Sequence, residues 1–439
     1  MISSIQPLLT AQPQDRPRPH AGVGELLFFY PFIVDSIGFI GLILSDSRTT
    51  YQAVQFLGEL IAVCVALWNA KRAIPKLTNS FGISIYIPAA LLIVVSATCF
   101  VRGNDNSAFP LAALRYLFWI LFAFRAVGIR HTGNAFWGFA NSLAILSVLQ
   151  LIASPALAGM LQAIHETIAG ETSTNAVLTS ITLGKSFASL TVRNPIELSY
   201  IGLALLCVCL ADYRRMQGII CALTLVVCGR SNMAMVAAGI VILLDTVVGR
   251  ASKGSAKLVA LILMTLICIF TIYLPRIYLG EGATWEDFIT VLSYQRLGML
   301  IAIPQLVAQD GGSILLFGMS TSLQDSVEVL FTSGILPQLF EDGGAIAIFD
   351  VIWIGMLVVG GIPFLAAGII LLVDTIRNAR RQISLPSARS LYLYGCACVV
   401  MSFSSQVLLS RYGLFFLCYF AANFAVNENN ELPHEYSAS

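Results

Sequence analysis

Charged side chains are scarce in this sequence: 11% of 439 residues, beside 57% hydrophobic. An ordinary soluble domain carries about a quarter. A chain with so few cannot cover its apolar surface in water. A soluble globular protein is therefore excluded, and lipid becomes the solvent for most of the length. Net charge is +1, which argues against a nucleic-acid partner. Histidine is nearly absent; His20, His131, His165 and His434 are the full set. No cysteine pair has zinc-site spacing. Cys207/Cys209 and Cys396/Cys398 sit inside apolar runs as small packing residues, which predicts neither a disulfide nor a metal. No small-residue cleavage site follows the first apolar run, so that run reads as a retained signal anchor. There is no internal repeat and no long low-complexity segment.

What the chain does have is long apolar runs. About 20 apolar residues cross a bilayer as a helix, and 17 suffice where it is thin. The runs are 26–44, 53–68, 83–101, 109–127, 135–153, 196–211, 216–229, 232–249, 257–274, 349–373, 391–408 and 411–426. The predicted fold is all-α: a polytopic integral membrane protein of about 12 transmembrane helices. The count is eleven if the seventh run, which Arg230 interrupts, does not span. With the amino terminus inside, 16 of the 25 Lys and Arg residues fall in cytoplasmic segments and 8 in outer ones, with Arg115 inside span four. That bias satisfies the positive-inside rule. Residues 1–25 read as a cytoplasmic tail, 26–274 as a first membrane bundle of about nine spans and 275–348 as a large outer loop with amphipathic helices. Residues 349–426 read as a second bundle of about three spans, and 427–439 as an acidic cytoplasmic tail. The large loop holds eight of the 24 acidic residues, and its stretches 288–309 and 326–340 read as short amphipathic or re-entrant helices. A second long outer segment, 154–195, contains an interfacial stretch from Ala156 to Ile168.

The outer cations are seven arginines and one lysine. Guanidinium stays charged and grips phosphate with paired hydrogen bonds. Arg48, Arg102, Arg193, Arg230 and Arg411 all stand at or just before the predicted starts of helices. A helix amino terminus is partly positive, so an arginine there is unfavourable unless an anion joins it; together they make a phosphate site. In the run Val192-Arg193-Asn194-Pro195-Ile196-Glu197, Asn194 is a natural N-cap and Pro195 a natural first helical residue. Arg115, mid-span, calls for a partner such as Asp35 or Glu59.

Four stretches, in order, resemble the Wzy-type bacterial polysaccharide polymerase and O-antigen ligase superfamily. They are Val192-Arg193-Asn194-Pro195; Cys228-Gly229-Arg230-Ser231-Asn232; Ser293-Tyr294-Gln295-Arg296 through Leu316-Phe317-Gly318-Met319; and Asp350-Val351-Ile352-Trp353 with Val358-Val359-Gly360-Gly361. The family's ligases place a histidine in the large outer loop, and residues 275–348 have none, so polymerase leads over ligase. Position 229 is Gly where the family often has Ser.

The resemblance implies a membrane glycosyltransferase at the periplasmic face of the bacterial inner membrane. It would polymerise undecaprenyl-pyrophosphate-linked oligosaccharide repeat units into O-antigen, exopolysaccharide or another surface glycan. Implied partners are that lipid-linked glycan, membrane lipids, and the chain-length regulator and flippase of the same pathway. The leaving pyrophosphate needs fixed cations. Arg193, Arg230 and Arg296 are the first choices, with Arg48, Arg102 and Arg411 behind them. Glu341, Asp342, Glu197 and Asp350 are the candidates for a base at the acceptor hydroxyl. No metal or other cofactor is demanded. A secondary transporter or flippase is the competing class, kept open by Asp35, Glu59 and Arg115. A non-catalytic assembly partner is the third.

Overall fold

A computed structural model describes residues 29–45, 48–101, 108–126, 137–149, 195–213, 216–229, 231–248, 312–318, 352–403, 407–408 and 410–431, with the single positions 152, 282 and 284. Among these the chain is helical almost throughout and contains no strand. The helices are α1 Tyr30–Ser45, α2 Arg48–Phe81, α3 Ile87–Val101, α4 Ala108–Ala126, α5 Trp137–Leu149, α6 Pro195–Val208, α7 Met216–Cys228, α8 Asn232–Val248, α9 Ser313–Phe317, α10 Ile352–Arg381, α11 Pro386–Met401 and α12 Arg411–Glu431. Helix covers each predicted apolar run, wholly or in part, except 257–274. That run, the stretches 156–168, 288–309 and 326–340, and the amino-terminal tail lie outside the described residues, whereas residues 427–431 of the carboxy-terminal tail continue α12 as helix.

Among the described residues, two stretches are long and apolar enough to cross a membrane, Ala53–Ala97 and Gly360–Arg381. The first joins α2 to α3 through a 3-10 turn at Gly82–Tyr86. α2 alone has 34 residues, about 51 Å at 1.5 Å per residue. Shorter apolar helices are Trp137–Leu149, Ile196–Ala211, Met216–Cys228 and Met233–Thr246.

The core is built around α12. Its residues Tyr412 to Ala422, apart from Gly413, are apolar and buried. A helix apolar on every side belongs inside a bundle rather than at its surface. α12 packs on α2, α4, α6 and α11. Aromatic rings make much of this contact: Phe415 meets Trp119 of α4 edge-on at 4.9 Å, and Tyr412 meets Phe32 of α1 at 5.1 Å. α2 is the opposite case. Phe56 is 72% exposed and Trp68 75%, with Leu57, Leu60, Ile61 and Leu67 exposed beside them. A continuous apolar face of this kind is unfavourable in water and favourable in lipid, in keeping with membrane association.

α10 is broken near its start. Gly361 has φ 69° and ψ −166°, and Pro363 follows it. Pro removes a helical donor, and the positive φ needs a glycine. Against this kink lies the short helix α9. A Cβ at position 361 would stand 2.7 Å from the Leu316 carbonyl carbon and 2.8 Å from the Leu315 oxygen. Backbone therefore meets backbone between Leu315-Leu316 of α9 and Gly361 of α10.

Candidate functional site

The amino-terminal ends of six helices gather at one end of the bundle. Near the start of α2, Gln55 bonds Arg411, the first residue of α12. α4 runs parallel to α2: Arg115 pairs with Glu59, and further along Arg125 lies over Trp68 at 5.3 Å. In the first turn of α6, Glu197 bears electrostatically on Tyr412. Ser199 Oγ donates to the Val226 carbonyl at 3.3 Å, so α7 ends where α6 begins, and α8 starts from that turn. α10 joins them, because the Ile352 N–H donates to the Ser402 carbonyl just after α11.

Local chemistry sets the helix starts. Ser410 caps α12, its Oγ accepting the Gly413 N–H at 3.0 Å; Ser231 caps α8 by accepting the Ala234 N–H at 3.3 Å. α6 opens on Pro195, as the Asn-Pro pair predicts.

Below this end lies a polar cluster between α1, α2, α4 and α12. Arg411 Nη1 donates to Asp35 at 2.7 Å and to the Gln55 oxygen. The Gln55 amide nitrogen donates to Asp35 at 2.7 Å, and the Tyr412 hydroxyl donates to the other Asp35 oxygen. One turn along α2, Arg115 Nη2 donates to Glu59 at 3.0 Å. Arg411 also lies over the Trp119 ring at 5.9 Å. Among the described residues, Arg411 Nε, Arg411 Nη2, Arg115 Nε and the Tyr30 hydroxyl are buried without a hydrogen-bond partner. A groove of about 350 Å³ runs beside the cluster, lined by Gln55, Glu59, Arg115 and the aromatic rings of Phe56, Phe118 and Trp119. A separate ion pair joins Arg389 of α11 to Asp245 of α8; Arg389 also donates to the Asp245 carbonyl at 3.1 Å.

Of the candidates from the sequence, Arg411 and Glu197 are brought to the same end of the bundle. Arg48 is the first residue of α2, its side chain outside the description. Arg102, Arg193, Arg230, Arg296, Glu341, Asp342 and Asp350 lie outside the described residues. Arg115 takes Glu59 as its partner, whereas Asp35 goes to Arg411. Gln55, Tyr412 and Trp119 were not singled out as part of this cluster. Gln55 and Glu59 did carry a signal: they are four apart in the apolar run 53–68, which puts both on one helix face.

No family model matches the chain, and no curated protein matches it.

Proposed function

We propose that the chain is a multi-pass inner-membrane polymerase, with about 12 spans and a cytoplasmic amino terminus, that transfers a growing glycan from its undecaprenyl pyrophosphate to a sugar hydroxyl of an incoming lipid-linked unit. One observation carries this reading: α2, α4, α6, α8 and α12 all begin at the same end of the bundle. In the sequence an arginine stands at the first residue of α2 and of α12, and within two residues ahead of α6 and α8. Free helix N–H groups and guanidinium ions together favour a diphosphate. Arg193, Arg230 and Arg296 are assigned to it, with Arg48 and Arg102 behind them; Arg411, a further candidate from the sequence, is taken up by Asp35. The base is one of Glu197, Glu341, Asp342 and Asp350.

The test is glycan profiling of a strain lacking the protein, followed by Arg193→Ala and Arg296→Ala. Single repeat units should remain while long chains vanish, with both variants still inserted in the membrane. Normal chain length in both variants would rule the reading out.

A secondary transporter or flippase is the second reading. The transporter is favoured by four charges, Asp35, Glu59, Arg115 and Arg411, held among the helices. Accumulation of lipid-linked repeats on the cytoplasmic side of the deletion strain would establish the transporter; accumulation in the outer leaflet supports the polymerase.

A further inference from the structure

We propose that the groove between α2 and α4 binds a neutral, hydroxyl-rich headgroup on a lipid tail, chemically a saccharide on a lipid, with Gln55, Glu59 and Arg115 as the recognising residues. The choice of a saccharide among hydroxylic heads rests on the polymerase reading. The site itself rests on four observations.

The first is exposure. Arg115 and Glu59 are 27% and 28% exposed, in a groove whose rim includes the exposed Phe56 and Leu60. In a spanning protein those rim residues face hydrocarbon. An ion pair open to hydrocarbon is costly, and a polar occupant relieves it.

The second is charge balance. Asp35 and Glu59 face Arg115 and Arg411. Two carboxylates cancel two guanidiniums, so neither an anion nor a cation gains net attraction. A group that both donates and accepts is served by both signs, and hydroxyls do this.

The third is spare bonding capacity. Arg115 spends Nη2 on a single Glu59 oxygen, and its side chain keeps 27% of its surface exposed. The cluster offers donors through Arg115 and an acceptor through Glu59.

The fourth is shape. Phe56, Phe118 and Trp119 form aromatic walls, suited to the C–H faces of a ring. The volume, about 350 Å³, lies within the roughly 300–1,000 Å³ of small-molecule sites. Because its rim faces outward from the bundle, a head can enter while its tail stays in lipid.

The experiment uses the full chain in lipid nanodiscs, with Trp119 made the sole tryptophan by W68F, W137F, W285F and W353F. Trp119 emission is titrated with octyl β-glucoside, octyl phosphate and octanol, all below micelle formation. Octyl glucoside should give a saturable change, with affinity at least about tenfold above the other two, a margin of about 1.4 kcal/mol. Glu59→Gln should weaken it by about tenfold, and the double variant R115M/E59M should abolish saturation. If the double variant does not fold, Glu59→Gln decides alone. Equal responses to the three probes, a stronger response to octyl phosphate, or a glucoside response unchanged in the variants overturns the proposal. No polymerisation is involved in the readout. Failure here leaves the polymerase reading to the glycan profile, and a normal glycan profile beside saturable binding removes the polymerase and keeps the hydroxyl-binding groove.

Discussion

Arg411 and Asp35 are 376 residues apart in the chain and 2.7 Å apart in space. Their contact ties α12, at the centre of the bundle, to α1 at its beginning. Gln55 of α2 and Tyr412 of α12 bond to the same carboxylate. The pair is 13% and 4% exposed, so neither charge has water to fall back on.

Removing one partner should therefore be severe. Asp35→Leu or Arg411→Met leaves a buried charge alone and should cost about 3–5 kcal/mol. The double variant D35L/R411M should recover much of that loss. A thermal-unfolding cycle in detergent measures the difference; additive losses would mean the two residues do not act as a pair.

The outer of the two ion pairs should matter less. Arg115 and Glu59 are each more than a quarter exposed, and interhelical polar contacts in membranes average about 0.6 and reach about 1.7 kcal/mol. The cycle through R115M and E59M should give a coupling in that range. A coupling as large as that of Arg411 and Asp35 would contradict this geometry.

Gly361→Ala should release α9 from α10. The new Cβ meets the backbone of Leu315 and Leu316, which has no rotamer to give way, and a φ of 69° with ψ −166° adds strain, about 1–3 kcal/mol for an L-residue. Limited proteolysis around 312–318 should become faster. Gly138→Ala is the control, since no described residue lies within 4 Å of its Cβ in α5; it should stabilise the helix by roughly 0.5–1 kcal/mol.

Phenylalanines on the two kinds of face should respond differently. Phe415 is fully buried against Trp119, and Phe415→Ala should cost about 3–5 kcal/mol through the cavity left behind. Phe56 is 72% exposed, and Phe56→Ala should change stability in a bilayer by less than about 0.5 kcal/mol. A lipid-phase photoreactive probe should label Phe56 and spare Phe415. Labelling of Phe415 would mean that α12 is not the inner helix.

Much of the fold could be read in advance because an apolar run offers its own backbone groups no polar side chains to bond. Backbone groups must bond within the segment, so an apolar run of sufficient length becomes a helix. That is why α1, α4, α7 and α8 closely follow their runs. α2 extends well past its run, to Phe81, because Lys71, Arg72 and Lys76 are good helix formers whatever the solvent. α11 begins earlier than its run, at Pro386, because proline suits the first turn. The helix start at Pro195 was legible from capping chemistry, and that at Asn232 from the bounds of its apolar run. The pairing was not: Asp35 and Glu59 both looked suitable for Arg115, and only packing separated them. Nor did any periodicity announce that α12 is surrounded on all sides while α2 keeps an open face, since lipid and protein interior are equally apolar and leave the same residues in both.

By itself the sequence determined which segments are helical, how sparse the charges are, and that arginines mark several helix starts. These are local matters, decided by backbone bonding, side-chain solubility and the residues next in line. The tertiary structure decided which arginine meets which carboxylate, that α9 rests on a glycine of α10, and that a largely apolar groove holding the Arg115–Glu59 pair opens between α2 and α4. Those depend on contacts between segments far apart in the chain, where shape and charge select among several partners that are chemically alike.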